Sequence, residues 1–435
     1  MKTAFTPEQL ADPEFAASQQ ALRNCVHCGF CTATCPTYVL LGDERDSPRG
    51  RIELIRDMLE SGRAPTREAV THIDRCLSCL ACVTTCPSGV DYAQLIGHAR
   101  SYIEERHRRP WPERLLRWAI PQVLTRPGRL RAALALGRHV RRLEPWLRRA
   151  RLPSLAALLR LVPEPGRPNR GVGVHPAVEA RRGRVILLQG CVEPEMAPQI
   201  RDAAVRLLAR AGFDVVLARG EGCCGAIPEH LGQAAEARAL AQRNLRAWGQ
   251  AGEAAAIVTT AAGCGTTLKA YGRILGEAGA GVAAKARDIL EFLDEVGLPE
   301  ISNPQGLSVA YHAPCSLQHG QQIKAAPARL LRAAGFDVRE VAEGHLCCGS
   351  AGVYNILQPE LAGRLQARKA ANIARTGALI VAAGNVGCMA QIAPAVSAPV
   401  LHPVELLDWA TGGPRPLSLD QVVALAKAAQ PADAG

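Results

Sequence analysis

Aromatic residues make up only 4% of this 435-residue chain, and methionine occurs four times. Between Arg375 and Glu405 there is no Asp, Glu, Lys or Arg, a gap long enough to cross a bilayer on length alone. Gly377, Gly384, Asn385, Gly387, Gln391, Pro394 and Pro399 interrupt it, and Ala378-Leu-Ile-Val-Ala-Ala383 reads as a buried strand. The run is therefore expected in a soluble core. Met1 to Phe15 carries Glu8, Asp12 and Glu14 and lacks an apolar stretch, which does not read as a secretory signal. No G-x-G-x-x-G loop follows a strand and no P-loop is present; Gly263-Cys-Gly265 and Gly384-Asn-Val-Gly387 are too short and wrongly framed. A chain without a nucleotide loop is not expected to carry FAD. Lysine is absent from Arg100 to Arg184, where twenty-one Arg and six Glu sum to +15 against a whole-chain net charge of +11. Such a stripe suits an anionic membrane surface, an acidic protein partner or a solvated face. Stacking aromatics are few and no nucleic-acid module is present, so nucleic acid is excluded.

Cysteine is what the chain has in quantity: sixteen in all. Cys25-Val-His-Cys28-Gly-Phe-Cys31-Thr-Ala-Thr-Cys35-Pro36 returns as Cys76-Leu-Ser-Cys79-Leu-Ala-Cys82-Val-Thr-Thr-Cys86-Pro87. Both spell C-x2-C-x2-C-x3-C-P, the spacing of chains that hold two [4Fe–4S] clusters. Three thiolates on a tight loop wrap one corner of a cube, and the fourth, released by the following proline, ligates the other motif's cluster. Cys25, Cys28, Cys31 and Cys86 are thus assigned to one cluster, and Cys76, Cys79, Cys82 and Cys35 to the other. Structural zinc uses two separated C-x2-C pairs, which this spacing over-supplies, and disulfides need an oxidising compartment of which the sequence gives no sign. A cytoplasmic location is expected, with attachment to the inner face of the plasma membrane through the basic stripe as its variant.

The expected fold is α+β and multidomain. Residues 1–100 form a mostly helical ferredoxin-like module with the two clusters; Ser47 caps and Pro48 opens a helix carrying Ile52, Ile55 and Leu59 on one face. Residues 101–183 are an Arg-rich helical connector, with one helix through Trp111, Leu115, Leu116, Ile120 and Val123 and another through Leu130, Leu134 and Leu143. Pro163, Pro165 and Pro168 mark a linker. Residues 184–300 and 301–435 are two copies of one α/β domain with a parallel sheet. Cys191, Cys223, Cys224 and Cys264 recur 124 residues later as Cys315, Cys347, Cys348 and Cys388, and Ala-Gly-Phe-Asp occurs at 211–214 and 334–337. Strands are expected at Arg184–Leu188, Phe213–Leu217 and Ala256–Thr259, then at Ser308–Tyr311 and Leu379–Ala382, with the cysteines just past strand ends.

Adjacent cysteines in a Gly-flanked turn, with two more from other strand ends, make a four-thiolate pocket. It suits a cluster, zinc, thiol–disulfide chemistry or a cluster site that has lost its metal. His312, His345 and His402 lie near the second set, as a further ligand, a proton relay or hydrogen-bonded core histidines. No Asp or Glu pairing near either set signals acid–base work, and no catalytic residue is assigned.

These Cys-Cys-Gly repeats resemble the cysteine-rich domain of heterodisulfide reductases, where each copy ends in C-x2-C and binds a non-cubane cluster. Here Ala261 and Asn385 precede Cys264 and Cys388 by three residues, and Thr267 and Gln391 follow by three, so each copy is one cysteine short. The whole chain resembles the iron–sulfur subunit of glycolate oxidase (glycolate dehydrogenase). The residues that carry this are Cys25 to Tyr38, Leu41-Gly-Asp-Glu44, Ser47-Pro-Arg-Gly-Arg-Ile52, Asp74-Arg-Cys-Leu77 and Thr85-Cys-Pro-Ser-Gly89, then Cys315-Ser-Leu-Gln-His319 and His345-Leu-Cys-Cys-Gly-Ser-Ala-Gly352. The clustered cysteines alone are shared with subunits of lactate and glycerol-3-phosphate dehydrogenases. The resemblance implies a hetero-oligomer in which FAD-binding partner subunits oxidise the 2-hydroxy acid and this chain accepts the electrons, passing them to a further acceptor such as a quinone.

Overall fold

The computed structural model describes residues 1–149, 152–160, 162, 171–304, 306–420 and 422. The linker prolines Pro163, Pro165 and Pro168 lie outside them.

Four helices, Pro13–Asn24, Pro48–Ser61, Arg67–Asp74 and Tyr92–Arg106, frame the N-terminal module. Leu22, Ile55, Leu59, Ile73, Leu95 and Ile103 close its core. The second helix starts as its sequence predicts. Ser47 Oγ accepts the Gly50 N–H at 3.0 Å, Pro48 takes the first turn, and Gly62 ends the helix in the left-handed region. A Cβ at Gly50 would overlap the Glu44 carbonyl oxygen, so this glycine lets the turn Glu44–Asp46 lie against the helix.

The connector forms helices Trp111–Leu124 and Pro127–Val140. The inner face of the first carries Leu116, Ile120 and Leu124, which pack on Leu231 of one repeat and on Val353 and Ile356 of the other. Part of the Arg-rich charge is internal: Arg109 and Arg117 are buried and share Asp74, at 2.6 and 3.0 Å, and both reach Glu113. Trp111, Leu115 and Trp118 point away from the protein on the opposite face, and all three are exposed.

The described residues form nine strands: β1 (Gly173–His175), β2 (Gly183–Leu187), β3 (Phe213–Leu217), β4 (Ala256–Thr259), β5 (Ala286–Asp288), β6 (Ser308–His312), β7 (Asp337–Glu340), β8 (Ile380–Ala383) and β9 (Val400–Leu401). The first sheet runs β1-β3-β2-β4-β5 and the second β7-β6-β8-β9. Apart from β1, an antiparallel edge strand, every pairing is parallel, and the two orders superimpose repeat on repeat. Parallel strands need both faces covered, which is why the central strands β2, β4 and β8 are largely apolar and buried, while β7 at the sheet edge (Asp337–Glu340) is polar and part exposed. Val185, Leu187, Val215, Val258, Val309 and Ile380 belong to one continuous core, so the repeats fold onto each other. Each such buried side chain contributes roughly 1.5–3 kcal/mol. Strand β1 comes from a stretch that reads as connector, because three residues with exposed Val174 carry no strand signal. Among the described residues no helix is long and apolar enough to cross a membrane.

Candidate metal centres

The two ferredoxin-type loops share one backbone. His27 and Gly29 in the first, and Ser78 and Leu80 in the second, have φ of 57°, 83°, 51° and 61°. Alternating left-handed residues turn successive N–H groups to one side and cradle an anion. Ser78 N–H donates to Cys76 Sγ at 3.4 Å, as such a loop requires. Leu80 adopts this conformation without glycine's freedom, at about 1–2 kcal/mol. Cys25, Cys28, Cys31 and Cys86 line one void, and Cys35, Cys76, Cys79 and Cys82 line the next, with Cys82 also on the wall of the first. The last thiol of each motif therefore lies at the void built by the other motif. Four thiols around a void, with N–H donors facing in, fit a [4Fe–4S] cluster.

The surroundings of the two voids differ. In the first loop Cys28, Val26 and Phe30 face solvent, the latter two 67% and 61% exposed. Leu77 and Ala81, at the matching positions of the second loop, are 3% and 0% exposed. Leu77 and Cys79 pack against Cys315, Cys347, Tyr354 and Leu361 of the second repeat. Thr84 Oγ1 and His319 Nδ1 lie 2.8 Å apart, while His319 Nε2 contacts the His345 carbonyl oxygen at 3.1 Å, which pins the second loop to that repeat.

A buried charge network that the sequence reading missed sits beside the second void. Arg51, on the helix Pro48–Ser61, donates to the His72 carbonyl (2.7 Å), Thr37 Oγ1 (2.9 Å), Asp46 Oδ1 (3.3 Å) and Cys35 Sγ (3.7 Å). Asp46 also binds His72 Nδ1 and Arg75, each at 2.9 Å. Its signal was the spacing: Arg51 shares the buried stripe with Pro48, Ile55 and Met58. Burial pushes the Cys76 thiol up, but Arg51 and Arg100 outweigh it and hold Cys76 below the usual thiol range. Burial pushes Cys25 up, and Cys31 up to about 11. Burial pushes Cys79 and Cys82 of the second site well up, so Arg51 and Arg100 favour the thiolate at Cys76 and not across the whole site.

In the repeats, Cys191, Cys223, Cys224 and Cys264 follow the carboxyl ends of β2, β3 and β4, and Cys315, Cys347, Cys348 and Cys388 follow those of β6, β7 and β8. This is where open parallel sheets place their ligands. Gly225 N–H donates to Cys223 Sγ at 3.5 Å and Gly349 N–H to Cys347 Sγ at 3.4 Å. Cys191 and Cys224 hold Cys223 well below the ordinary thiol value, and Cys315 and Cys348 do the same for Cys347. A cavity of 160 Å³ between the repeats is lined by Cys191, Cys223, Cys224, Cys264, Cys315, Cys347 and Cys388, and by Ser78 and Cys79 of the second ferredoxin loop. The structure thus joins the second ferredoxin site and seven of the eight repeat cysteines, all but Cys348, around one space.

Glu193, which sequence did not single out, also lines this cavity; burial pushes its carboxyl up to about 7, and Thr260 Oγ1 donates to it at 2.5 Å. Lys369 is buried behind the second quartet and donates to the Glu343 carbonyl oxygen at 2.9 Å. Of the three histidines flagged by sequence, His402 is a core cap: Nε2 meets the Thr260 carbonyl at 2.8 Å and Nδ1 accepts from Val404 N–H at 3.2 Å. His345 is half-buried. His312 lies against Cys348 and Cys388.

Eight thiols in two ferredoxin-type loops, joined to duplicated Cys-Cys-Gly domains, define a protein of the iron–sulfur class. Residues 21–90 match the 4Fe-4S dicluster domain, and residues 185–269 and 309–393 each match the cysteine-rich domain family. The chain is 39% identical to the glycolate oxidase iron-sulfur subunit of Escherichia coli (strain K12), over 94% of this chain and 99% of that protein. It is 31% identical to the probable glycolate oxidase iron-sulfur subunit of Bacillus subtilis (strain 168), over 85% and 88% respectively. Lactate utilization protein A of Oceanobacillus iheyensis is 25% identical, over 48% of this chain and 88% of its own length. The chain belongs to the glycolate oxidase iron–sulfur subunit family, and is an oxidoreductase subunit.

Proposed function

We propose that this chain is the electron-transfer subunit of a glycolate dehydrogenase complex that oxidises glycolate to glyoxylate. In this reading FAD sits on partner subunits, and electrons leave it one at a time for the two [4Fe–4S] clusters and then for an acceptor such as a quinone. Cys25, Cys28, Cys31 and Cys86 hold the first cluster, and Cys76, Cys79, Cys82 and Cys35 the second. The clusters supply one-electron transfer, and the chain's own residues set its direction. The observation that carries this is the contrast between the loops. Val26, Cys28 and Phe30 open the first cluster site to a docking partner, while Leu77 and Cys79 close the second against the second repeat. The buried guanidinium of Arg51, in contact with Cys35 Sγ, sets a positive charge beside the second site, which would favour a reduced cluster there.

The connector gives the complex a surface to attach by. Trp111, Leu115 and Trp118 are exposed on a helix that also exposes Arg114, with exposed Arg108 just before it, a pattern suited to an anionic membrane surface. Co-expression with the flavoprotein subunits tests the assignment. The purified complex is expected to reduce its clusters on adding glycolate, whereas the chain alone binds no FAD and oxidises nothing. Glycolate turnover by the isolated chain with an artificial acceptor would overturn the reading. Preference for D-lactate or glycerol 3-phosphate over glycolate would instead place the complex with those related dehydrogenases.

The thiol-lined cavity between the repeats favours one other reading, a thiol–disulfide reductase of the heterodisulfide type. Disulfide reduction by the isolated chain, with an artificial electron donor and loss on Cys223→Ser, would support it.

A further inference from the structure

A cavity of 1160 Å³ lies where the ferredoxin module, the connector and the second repeat meet. Each contributes a wall: Leu41 and Arg75 from the module, Ala156 and Leu159 of the helix Pro153–Arg160 from the connector, and Leu361 from the repeat helix Pro359–Ala374. Small-molecule sites usually span roughly 300–1,000 Å³, so the space can take a ring and part of a long tail. Arg142 and Glu360 also line it and are exposed, which opens it to solvent. The inner end meets the second ferredoxin site. Leu41 and Leu361 belong to one packed cluster with Leu77 and Cys79, and Arg75 directly precedes Cys76. The outer wall belongs to the membrane-suited connector. Leu158, on the same helix as Ala156 and Leu159, packs with Leu116, Ile120 and Leu124, whose helix exposes Trp111, Leu115 and Trp118 on its other side.

We propose that this cavity binds a lipophilic quinone and is where electrons leave the chain. The second ferredoxin site is closed against the second repeat, so a protein acceptor cannot touch it, whereas a small molecule in an adjoining cavity can. The thiol-lined cavity also adjoins that site, but at 160 Å³ it is too small for a ring with a tail. The apolar walls suit an uncharged ring and an isoprenoid chain. Arg75 supplies the polar contact: its Nη1 donates to Asp46 Oδ2 at 2.9 Å, its side chain is one-third exposed, and its remaining N–H groups are left to donate to a quinone carbonyl. Conversion of quinone to quinol turns two carbonyls into two hydroxyls. The two electrons are those that the proposed function delivers to the second ferredoxin site, and the two protons come from solvent at the open end. The site thus rests on the electron-transfer reading of the chain, but not on which hydroxy acid is oxidised.

The test uses the full-length chain and its complex with the flavoprotein subunits, purified without air. The probe is a benzoquinone bearing a short isoprenoid tail and a photoreactive azide. On the chain alone it should label peptides that line the cavity, and an excess of the azide-free quinone should suppress the labelling. A Cβ at Gly363, which lines the cavity, meets nothing within 4 Å, so Gly363→Trp puts an indole into free space. Gly363→Trp, and Ala157→Trp on the connector wall, should lose the labelling, while Gly363→Ala should keep it. The two ferredoxin signals in electron paramagnetic resonance, retained in all three variants, report that the chain is folded. In the complex, Gly363→Trp should stop quinone reduction by glycolate while a water-soluble artificial acceptor is still reduced. Labelling at this cavity in a chain whose complex ignores glycolate would support the site and remove the glycolate reading. Labelling elsewhere, or labelling unchanged in both Trp variants, would overturn the proposal. So would labelling blocked by the bound flavoprotein subunits, which would show a partner's chain in the cavity instead.

Discussion

Arg51→Gln removes a fully buried cation that touches a thiol of the second ferredoxin site. The guanidinium makes four hydrogen bonds, one of them to Cys35 Sγ at 3.7 Å, and shares Asp46 with His72 and Arg75. Breaking a buried ion pair from one side costs about 3–5 kcal/mol. Because Asp46 keeps two partners, the lower end applies, and a drop of about 3 kcal/mol in unfolding free energy is expected. The electrostatic effect on the cluster is separable. A unit charge roughly 6 Å from the cluster centre, at an effective dielectric of about 20, interacts by about 3 kcal/mol. For a one-electron couple that is on the order of 100 mV. The sign follows from charge: the reduced cluster is the more negative state, the cation stabilises it, and removing the cation lowers the reduction potential. A redox titration followed by electron paramagnetic resonance should therefore show one cluster shifted down and the other in place. Arg51→Lys keeps the charge but loses the fork, so it should retain most of the potential while losing stability. An unshifted potential in Arg51→Gln, or an equal shift in both clusters, would refute the reasoning.

Cys35→Ser should damage mainly the cluster at Cys76, Cys79 and Cys82, since Cys35 lines that void; loss confined to the cluster at Cys25, Cys28 and Cys31 would show that the ligands are not crossed. Glu193→Gln should raise stability near pH 7.5 by about 1–3 kcal/mol and leave it unchanged near pH 4. Burial raises this carboxyl from 4.5 to about 7, so the native state is favoured while the group is protonated and loses that advantage as pH rises through this window; urea melts at the two pH values check it. Changing Trp111 and Trp118 to Ser should abolish binding to vesicles containing anionic lipid without altering cluster content, and raised salt should weaken native binding. Sedimentation with vesicles that is unchanged by either would leave the exposed face to a protein partner.

Much of the fold was legible because local and global signals agreed. Ser47, Pro48 and the Ile52–Ile55–Leu59 face marked a helix that forms as read, and Phe213–Leu217 and Ala256–Thr259 are strands at those very residues. The 124-residue register foretold matching sheets, and the two observed strand orders bear it out. The short additions, β5 at Ala286–Asp288 and β9 at Val400–Leu401, carry too few residues for any periodicity. Left-handed backbone at Ser78 and Leu80 was hidden because neither residue type announces it, whereas Gly29 does. The sequence also held no sign that Leu77 would be buried and Val26 exposed. That difference is set by packing against residues 315–361, more than two hundred positions away, and not by the loops themselves.

The same long-range packing explains why each duplication in this chain has drifted apart where its copies meet. The two cysteine loops keep identical spacing and the same left-handed turns, because those follow from wrapping one kind of site. They diverge at Val26 and Leu77, and at Phe30 and Ala81, the side chains that decide whether solvent or the second repeat covers the thiols. The two Cys-Cys-Gly domains keep strand order and all four cysteines, yet diverge at Leu188 and His312 and at Leu245 and Lys369. Every one of the polar replacements lies in the repeat that receives the second loop. A symmetric chain would present two equivalent cluster sites to a docked partner. Breaking the symmetry leaves an exposed first site and a buried second site, with Arg51 at its flank, packed against the second repeat. On the proposed function, that asymmetry would order electron transfer inward from the exposed site.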